Sequence, residues 1–239
     1  MGTLILSQIR KAIKDYDMIQ DGDNIAVGLS GGKDSLALLY GLCELRGRIK
    51  QSFNLKAITI KLGPNNPDTD YLRKFCDRMD VEYIIEETDI EQIVFEVREE
   101  KSPCSLCANL RRGILNDKAK SIQCNKVALG HHKDDAIETF LMCMFYEGRF
   151  HCFQPVTYLT RKDITIMRPL IYSWEDDIGE FIDSLNITPV KAVCKMAGHT
   201  NRHRIKEYIK NEVEINPNFK YNLFRSFTKG GISEWQEVK

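Results

Sequence analysis

Apolar positions fall along the chain in short runs that alternate with helically spaced stripes. Asn24 to Leu29 is a mostly apolar run closed by Ser30-Gly31-Gly32, the pattern of a short buried strand. Leu36, Leu38, Leu39, Leu42 and Leu45 then recur at helical spacing. Leu55 to Leu62 predicts a second strand, ended by the turn formers Gly63-Pro64-Asn65-Asn66-Pro67. Asp68 or Thr69 caps a helix reaching about Met79, with Leu72, Phe75 and Met79 on one face. Val81 to Ile85 and Lys126 to Leu129 predict two more strands, and Ala136 to Tyr146 a strongly apolar helix. Strands separated by helices need crossover connections, so the predicted fold class is α/β, a mainly parallel sheet with helices on both faces. Residues 1–190 read as the main domain and 191–239 as a basic helical extension. The pattern contains no internal repeat or low-complexity stretch.

Composition narrows the function classes. The 239 residues suffice for a sizeable core without staples. Lys+Arg and Asp+Glu both number 34, which excludes a globally basic nucleic-acid coat and an acidic tail protein but leaves room for a local basic face. Charge is in fact segregated. Asp80 to Glu100 holds nine acids against the single Arg98, and Lys191 to Lys210 holds six Lys/Arg against the single Glu207. The first reads as a solvated strand-and-helix face. Leu4 to Leu6 is too short for a signal segment, and no apolar stretch approaches the roughly 18 residues of a membrane span. A soluble cytoplasmic chain with no membrane partner is expected. Eight cysteines are too few for a disulfide scaffold, so reduced thiols are expected.

The chemistry concentrates in three motifs. Ser30-Gly31-Gly32-Lys33-Asp34-Ser35 lies between a strand and a helix. Its glycines let the backbone turn sharply beside a ligand, and the helix N-terminus behind it suits phosphate. It is not a Walker A loop, because Val27 replaces the first glycine and Asp34 the magnesium-binding hydroxyl, nor does it have dinucleotide spacing. Gly130-His131-His132-Lys133-Asp134-Asp135 follows the fourth strand. Parallel strands deliver their carboxyl ends to one edge, so Asp34 and Asp134 or Asp135 are placed to converge on magnesium and phosphate. The same acids suit a plain helix cap, and the His–Asp set suits a metal site. Third, Pro103-Cys104-Ser105-Leu106-Cys107 precedes Leu110-Arg111-Arg112-Gly113, where a helix begins. C-x-x-C alone fits a metal site, a redox pair or coincidence, and no second pair completes a four-cysteine zinc site. Cys194 stands apart in a basic segment, whereas Cys43 and Cys143 lie on apolar helix faces. Three thiolates suit a 4Fe–4S cluster with one iron left open to hydrosulfide, unlike the four of electron-transfer clusters.

The hexapeptide resembles the PP-loop of the ATP pyrophosphatase superfamily. Adding Pro-Cys-Ser-Leu-Cys with Leu-Arg-Arg-Gly, Gly130–Asp135, Met144-Phe145-Tyr146 and Arg168-Pro169-Leu170, nearly the whole chain resembles the TtcA family, the tRNA 2-thiocytidine synthetases. Ala197 stands where that family often has a further cysteine, leaving Cys194 as the candidate third ligand. The resemblance implies ATP held by Gly28, Leu29, Ser30, Gly31, Gly32, Lys33, Asp34, Ser35, Thr59, Ile60, Gly130, His131 and Asp135. It implies a 4Fe–4S cluster on Cys104, Cys107 and Cys194, and Mg2+ at Asp34 and Asp134. Asp34, Arg111 and Asp135 are the implied catalytic residues, and Arg111, Arg112, Arg168, Arg202 and Arg204 the implied tRNA contacts. ATP would adenylate the 2-carbonyl oxygen of an anticodon-loop cytidine, with release of pyrophosphate and AMP as sulfur replaces the oxygen. The implied partners are tRNA, a cysteine desulfurase or other sulfur donor, and a second copy in a homodimer. Two other readings are an amidating PP-loop ligase, such as a lysidine synthetase, and a nucleotide-binding iron–sulfur redox sensor. Lysidine formation needs no sulfur centre, and nucleotide sensing needs no Asp34 with Asp134–Asp135.

Overall fold

The computed structural model describes residues 2–63, 68–97, 103–190 and 200–229. Six strands form one sheet in the order β3-β2-β1-β4-β6-β5: β1 (Asp23–Gly28), β2 (Phe53–Lys61), β3 (Glu82–Glu87), β4 (Lys126–Ala128), β5 (Val156–Leu159) and β6 (Ile164–Met167). The first four are the predicted strands, and with β6 they run parallel; only β5 is antiparallel. The β5–β6 hairpin escapes the sequence reading because each strand is only four residues long, and a short apolar run of that kind carries little periodicity.

Between the strands lie α1 (Gly2–Asp15), α2 (Lys33–Leu45), α3 (Thr69–Arg78), the short α4 (Ile90–Gln92) with a π-turn over Ile93–Val97, α5 (Pro103–Ser121) and α6 (Lys133–Glu147). After the sheet come α7 (Glu175–Ser184), α8 (Asn201–Ile215) and α9 (Phe219–Lys229). Asp68 caps α3 as expected, its Oδ1 accepting from the amides of Asp70 and Tyr71 at 3.1 and 3.0 Å. Helix α5 starts at Pro103 rather than near Leu110. Proline is favoured in a first helical turn, where its missing N–H costs nothing, so the C-x-x-C pair is helical rather than in a loop.

Alternation along β1 explains the two cores. Ile25 and Val27 face one way into the large core with α1, α2, α6 and α7. Ala26 faces the other way, with Ile58, Val127 and Ile166, under Leu115 and Ala119 of α5. Leu36, Leu38, Leu39 and Leu42 of α2 are fully buried, each contributing about 1.5–3 kcal/mol of transfer free energy. Ile205 and Ile209 of α8 and Phe224 of α9 join the same large core, so the division expected at residue 190 does not separate two cores. In α6 the apolar pattern is core as far as Cys143, while Phe145 and Tyr146 at its end are about half exposed. Among its described residues the acidic run carries paired charges: Glu82 meets Lys56, Glu87 meets Lys61 and Glu86 meets Lys118.

Candidate functional site

The loop after β1 is closed by its own hydroxyls. Ser30 N and Ser30 Oγ donate to Ser35 Oγ at 3.2 and 3.1 Å, and Ser35 Oγ donates to Gly32 O at 2.9 Å. Gly31 takes a φ of +84°, a region costly for side-chain-bearing residues, and its carbonyl accepts from Val190 N at 2.9 Å. At the end of β4, a Cβ on Gly130 would lie 3.0 Å from the carbonyl carbon and oxygen of Asp34. That close approach is what lets the second motif touch the first. Thr59 is buried, and its Oγ1 donates to Leu29 O at 2.6 Å while accepting from Tyr83 Oη at 2.9 Å. The expected nucleotide-edge residues of β1 and β2 are thereby cross-linked.

At the centre of the site is His132, 3% exposed at its side chain. Its Nε2 lies 3.7 Å from Asp34 Oδ1 and 3.4 Å from Asp135 Oδ2, and its Nδ1 lies 3.6 Å from Asp134 Oδ2. Burial disfavours the imidazolium, but three carboxylates outweigh it and hold the pKa above its ordinary value. Asp135 Oδ2 also accepts from His132 N at 3.1 Å, which starts α6 with a reciprocal cap.

The charges continue outward in a closed, alternating ring. Lys33 Nζ bridges Asp34 Oδ1 and Glu175 Oε1, each at 2.9 Å. Glu175 Oε2 meets Lys206 Nζ at 3.1 Å, and Lys206 meets Glu138 Oε1 at 3.4 Å. Glu138 Oε2 lies 3.6 Å from Arg202 Nη1, which pairs with Asp135 Oδ1 at 3.0 Å. His132 closes the ring back to Asp34. Burial works against the Lys33 charge, yet its two carboxylates hold the ammonium above its usual range. Glu138 is 2% exposed, and burial pushes its carboxyl up to about 7.

The expected residues therefore sort differently from the sequence reading. Asp34, Asp135, Gly130 and the Ser30–Ser35 loop come together. Asp134, expected for magnesium, has both oxygens engaged: Oδ2 accepts from Glu175 N at 2.8 Å and Oδ1 pairs with Lys220. Despite burial, those partners with His132 hold it well below the usual carboxylate range. Its job is to tie α7 and α9 to α6. Arg168, expected to contact tRNA, is buried. It is 8% exposed, with Nε donating to His131 Nδ1 at 3.2 Å and the guanidinium 4.8 Å from the Phe153 ring centre. Burial brings its pKa down to about 10, and burial with Arg168 brings that of His131 down to about 4. His131 is thus neutral, with its proton on Nε2. Arg202 turns inward to Asp135 and Thr139, whereas Arg204 is exposed.

Cys104, Cys107, Arg111 and Leu115 follow one face of α5 by their spacing of three and four. That stripe ends at the sheet, since Leu115 Cδ2 would be 3.1 Å from a Cβ on Gly28. Cys104 is exposed, Cys107 and Arg111 half-buried, and Arg112 exposed, its Nη2 bonding Asn109 Oδ1 at 2.6 Å. By contrast Cys76, Cys124, Cys143 and Cys152 are buried, with burial raising each thiol pKa. The accessible C-x-x-C pair suits an iron–sulfur cluster; the expected third ligand, Cys194, lies outside the described residues. Among the described residues no group of three or more His, Cys, Asp and Glu is arranged to hold a metal ion. Magnesium needs only one or two carboxylates plus substrate phosphates. His132, Glu138 and Glu175 are the site residues that sequence reasoning missed. His132 alone had a signal, its place in the second motif.

Comparison with known proteins agrees with this geometry. A family profile described as the PP-loop domain matches residues 2–213. A tRNA-cytidine(32) 2-sulfurtransferase of Ralstonia pickettii (strain 12J) is 37% identical over 94% of this chain and 72% of the relative. One of the same description from Pelobacter propionicus is 36% identical over 92% of this chain and 83% of the relative. The solved U34-tRNA thiolase NcsA from Methanococcus maripaludis, with its 4Fe-4S cluster, superposes with a TM-score of 0.75 at 28% identity, covering 92% of this chain and 76% of that one. An NH3-dependent NAD synthetase from Campylobacter jejuni, at 17% identity and a TM-score of 0.53, shares the fold. No helix among the described residues is long and apolar enough to cross a membrane.

Proposed function

This chain belongs to the PP-loop domain family and, within it, to the tRNA-cytidine 2-sulfurtransferases, and from that premise we propose that it uses ATP to replace the 2-oxygen of cytidine 32 in tRNA by sulfur. The observation that carries this reading is the convergence of Asp34 with Asp135 at the His132 imidazole, directly behind the Ser30–Ser35 loop.

The ring oxygen is a poor leaving group until it carries AMP. ATP lies with its phosphates on the backbone amides of the loop and the N-terminus of α2. Lys33 faces the phosphate oxygens, and Asp34 with Asp135 receives Mg2+. The cytidine O2 attacks the α-phosphorus and pyrophosphate leaves, while Arg111 offsets charge developing on the phosphate. His131, neutral with Nε2–H, acts as a hydrogen-bond donor rather than a base. Hydrosulfide, released from a persulfide donor by a two-electron thiol reductant, then adds at C2, and AMP departs with the oxygen as the added sulfur loses its proton. Cys104, Cys107 and Cys194 hold the 4Fe–4S cluster, which when bound supplies the sulfur-carrying centre.

Arg111, Arg112 and Arg204 form the basic contacts to tRNA, with the target base splayed out of its loop. The sulfur comes from a cysteine desulfurase or an equivalent donor, the chain works as a homodimer, and its tRNA substrate places it in the cytoplasm. The test is mass spectrometry of tRNA nucleosides from cells with and without the gene. Loss of 2-thiocytidine is expected; an unchanged thionucleoside profile overturns the reading.

A further inference from the structure

Two cations of α8 stand one turn apart on the same helix face, Arg202 and Lys206. Both keep about two-fifths of the side chain exposed, yet each charged end is engaged by carboxylates. Arg202 grips Asp135, and Lys206 grips Glu175, the carboxylate that also holds Lys33. Between them sits Glu138, one turn beyond Asp135 on α6 and 2% exposed, facing both cations. A carboxylate this buried is costly to stability unless well paired, so packing alone does not explain it. Its effect is to join two separate ion pairs into one unit. The acid on one side of the phosphate loop and the lysine on the other are then set by a single helix that contributes nothing to the loop itself.

Resting on the thiolation reading above, we propose that Arg202 and Lys206, linked through buried Glu138, are positioning residues for the adenylation step: Arg202 sets Asp135, and Lys206 sets Lys33 by way of Glu175. They act as one device, because opening the ring at any member releases the others. Helix α8 also follows directly on residues 191–199, the segment that includes Cys194.

The test compares wild type, R202Q, K206Q, the double variant R202Q/K206Q and R202K, reading pyrophosphate release from ATP with tRNA. R202Q is expected to lower kcat by about 10- to 100-fold, as misplacing a reacting group does, with the KM for ATP within about threefold because binding is retained. R202K should recover part of the loss. The double variant should be no more than about threefold worse than R202Q, the non-additive behaviour of residues acting as a unit. E138Q, which keeps the side-chain shape, should give the same kcat-selective loss. A raised KM with kcat unchanged makes Arg202 a substrate contact and overturns the proposal. So does a lowered Tm with kcat per folded molecule unchanged, or losses that multiply in the double variant. No pyrophosphate release from the wild type overturns the thiolation reading itself, a result distinct from all of these.

Discussion

His132 Nε2 lies 3.7 Å from Asp34 Oδ1, so the two loop motifs meet at an imidazole buried to 3%. The imidazole stands between Asp34, Asp134 and Asp135 in one small volume, and those carboxylates raise its pKa against the effect of burial. Removing it leaves three carboxylates facing one another. His132→Ala is expected to destabilise the chain by about 3–5 kcal/mol, the range for breaking a buried pair, and to abolish pyrophosphate release. Urea unfolding and the ATP assay check both. A stable, active variant would falsify the assigned role.

Gly130→Ala places a methyl group 3.0 Å from the carbonyl of Asp34, tighter than backbone tolerates. The second motif must then back away from the phosphate loop. A loss of about 10-fold in kcat/KM is expected, less than the roughly 100-fold of a 1 Å displacement, because the shift needed is a few tenths of an ångström. Gly113→Ala is the control, since nothing lies within 4 Å of its added Cβ. Steady-state kinetics on both variants decides it.

Glu138 gives the ring a pH dependence. Burial pushes its carboxyl from an ordinary value near 4.5 up to about 7, against the pull of Lys206 and Arg202 and with a push from Asp135 and Glu175. The folded pKa exceeds the unfolded one, so the folded chain binds the extra proton. This contribution to stability is complete below about pH 4.5 and lost as pH rises through about 7, a span worth about 3 kcal/mol. Glu138→Gln should therefore flatten the wild-type decline in stability between those limits. Tm measured from pH 5 to pH 8 on both proteins tests it; parallel curves would contradict the assignment.

The thiols separate into two classes with different signatures. Cys104→Ala or Cys107→Ala should remove the broad visible absorbance of anaerobically purified protein while ATP binding persists. Cys124→Ala should keep the colour and lower Tm, because that side chain is 1% exposed in the core under α5. A colourless wild type holding stoichiometric zinc excludes the cluster.

Much of this was legible in the sequence. Inner parallel strands bury both faces and so appear as nearly unbroken apolar runs, which is why β1 and β4 can be read; edge strand β3 is partly exposed and is marked only by its central apolar residues. The phosphate loop and Gly130–Asp135 carry local signatures, and their shared edge follows from parallel topology. What could not be read is tertiary. Glu138, among Ile137, Phe140 and Leu141, looks like the solvent face of an apolar helix. Glu175 looks like an ordinary first-turn acid until α7 brings it to Lys33. Arg168 and Arg202 look like surface cations, because nothing in the sequence brings His131 or Asp135 to them. Asp134 and Asp135 are equivalent in the motif; only the placement of Lys220 and Arg202 assigns one to architecture and the other to the site.

The ring sets its carboxylates against Lys33, Lys206 and Arg202 and so carries little net charge. A site that accepts a polyanion usually draws it in from a distance through a positive field; this one exerts little such pull. ATP should then associate at a rate nearly indifferent to ionic strength, as expected where no net field steers the encounter. On the proposed reading the long, charged tRNA meets the exposed Arg112 and Arg204 instead, and its capture should weaken steeply as salt rises.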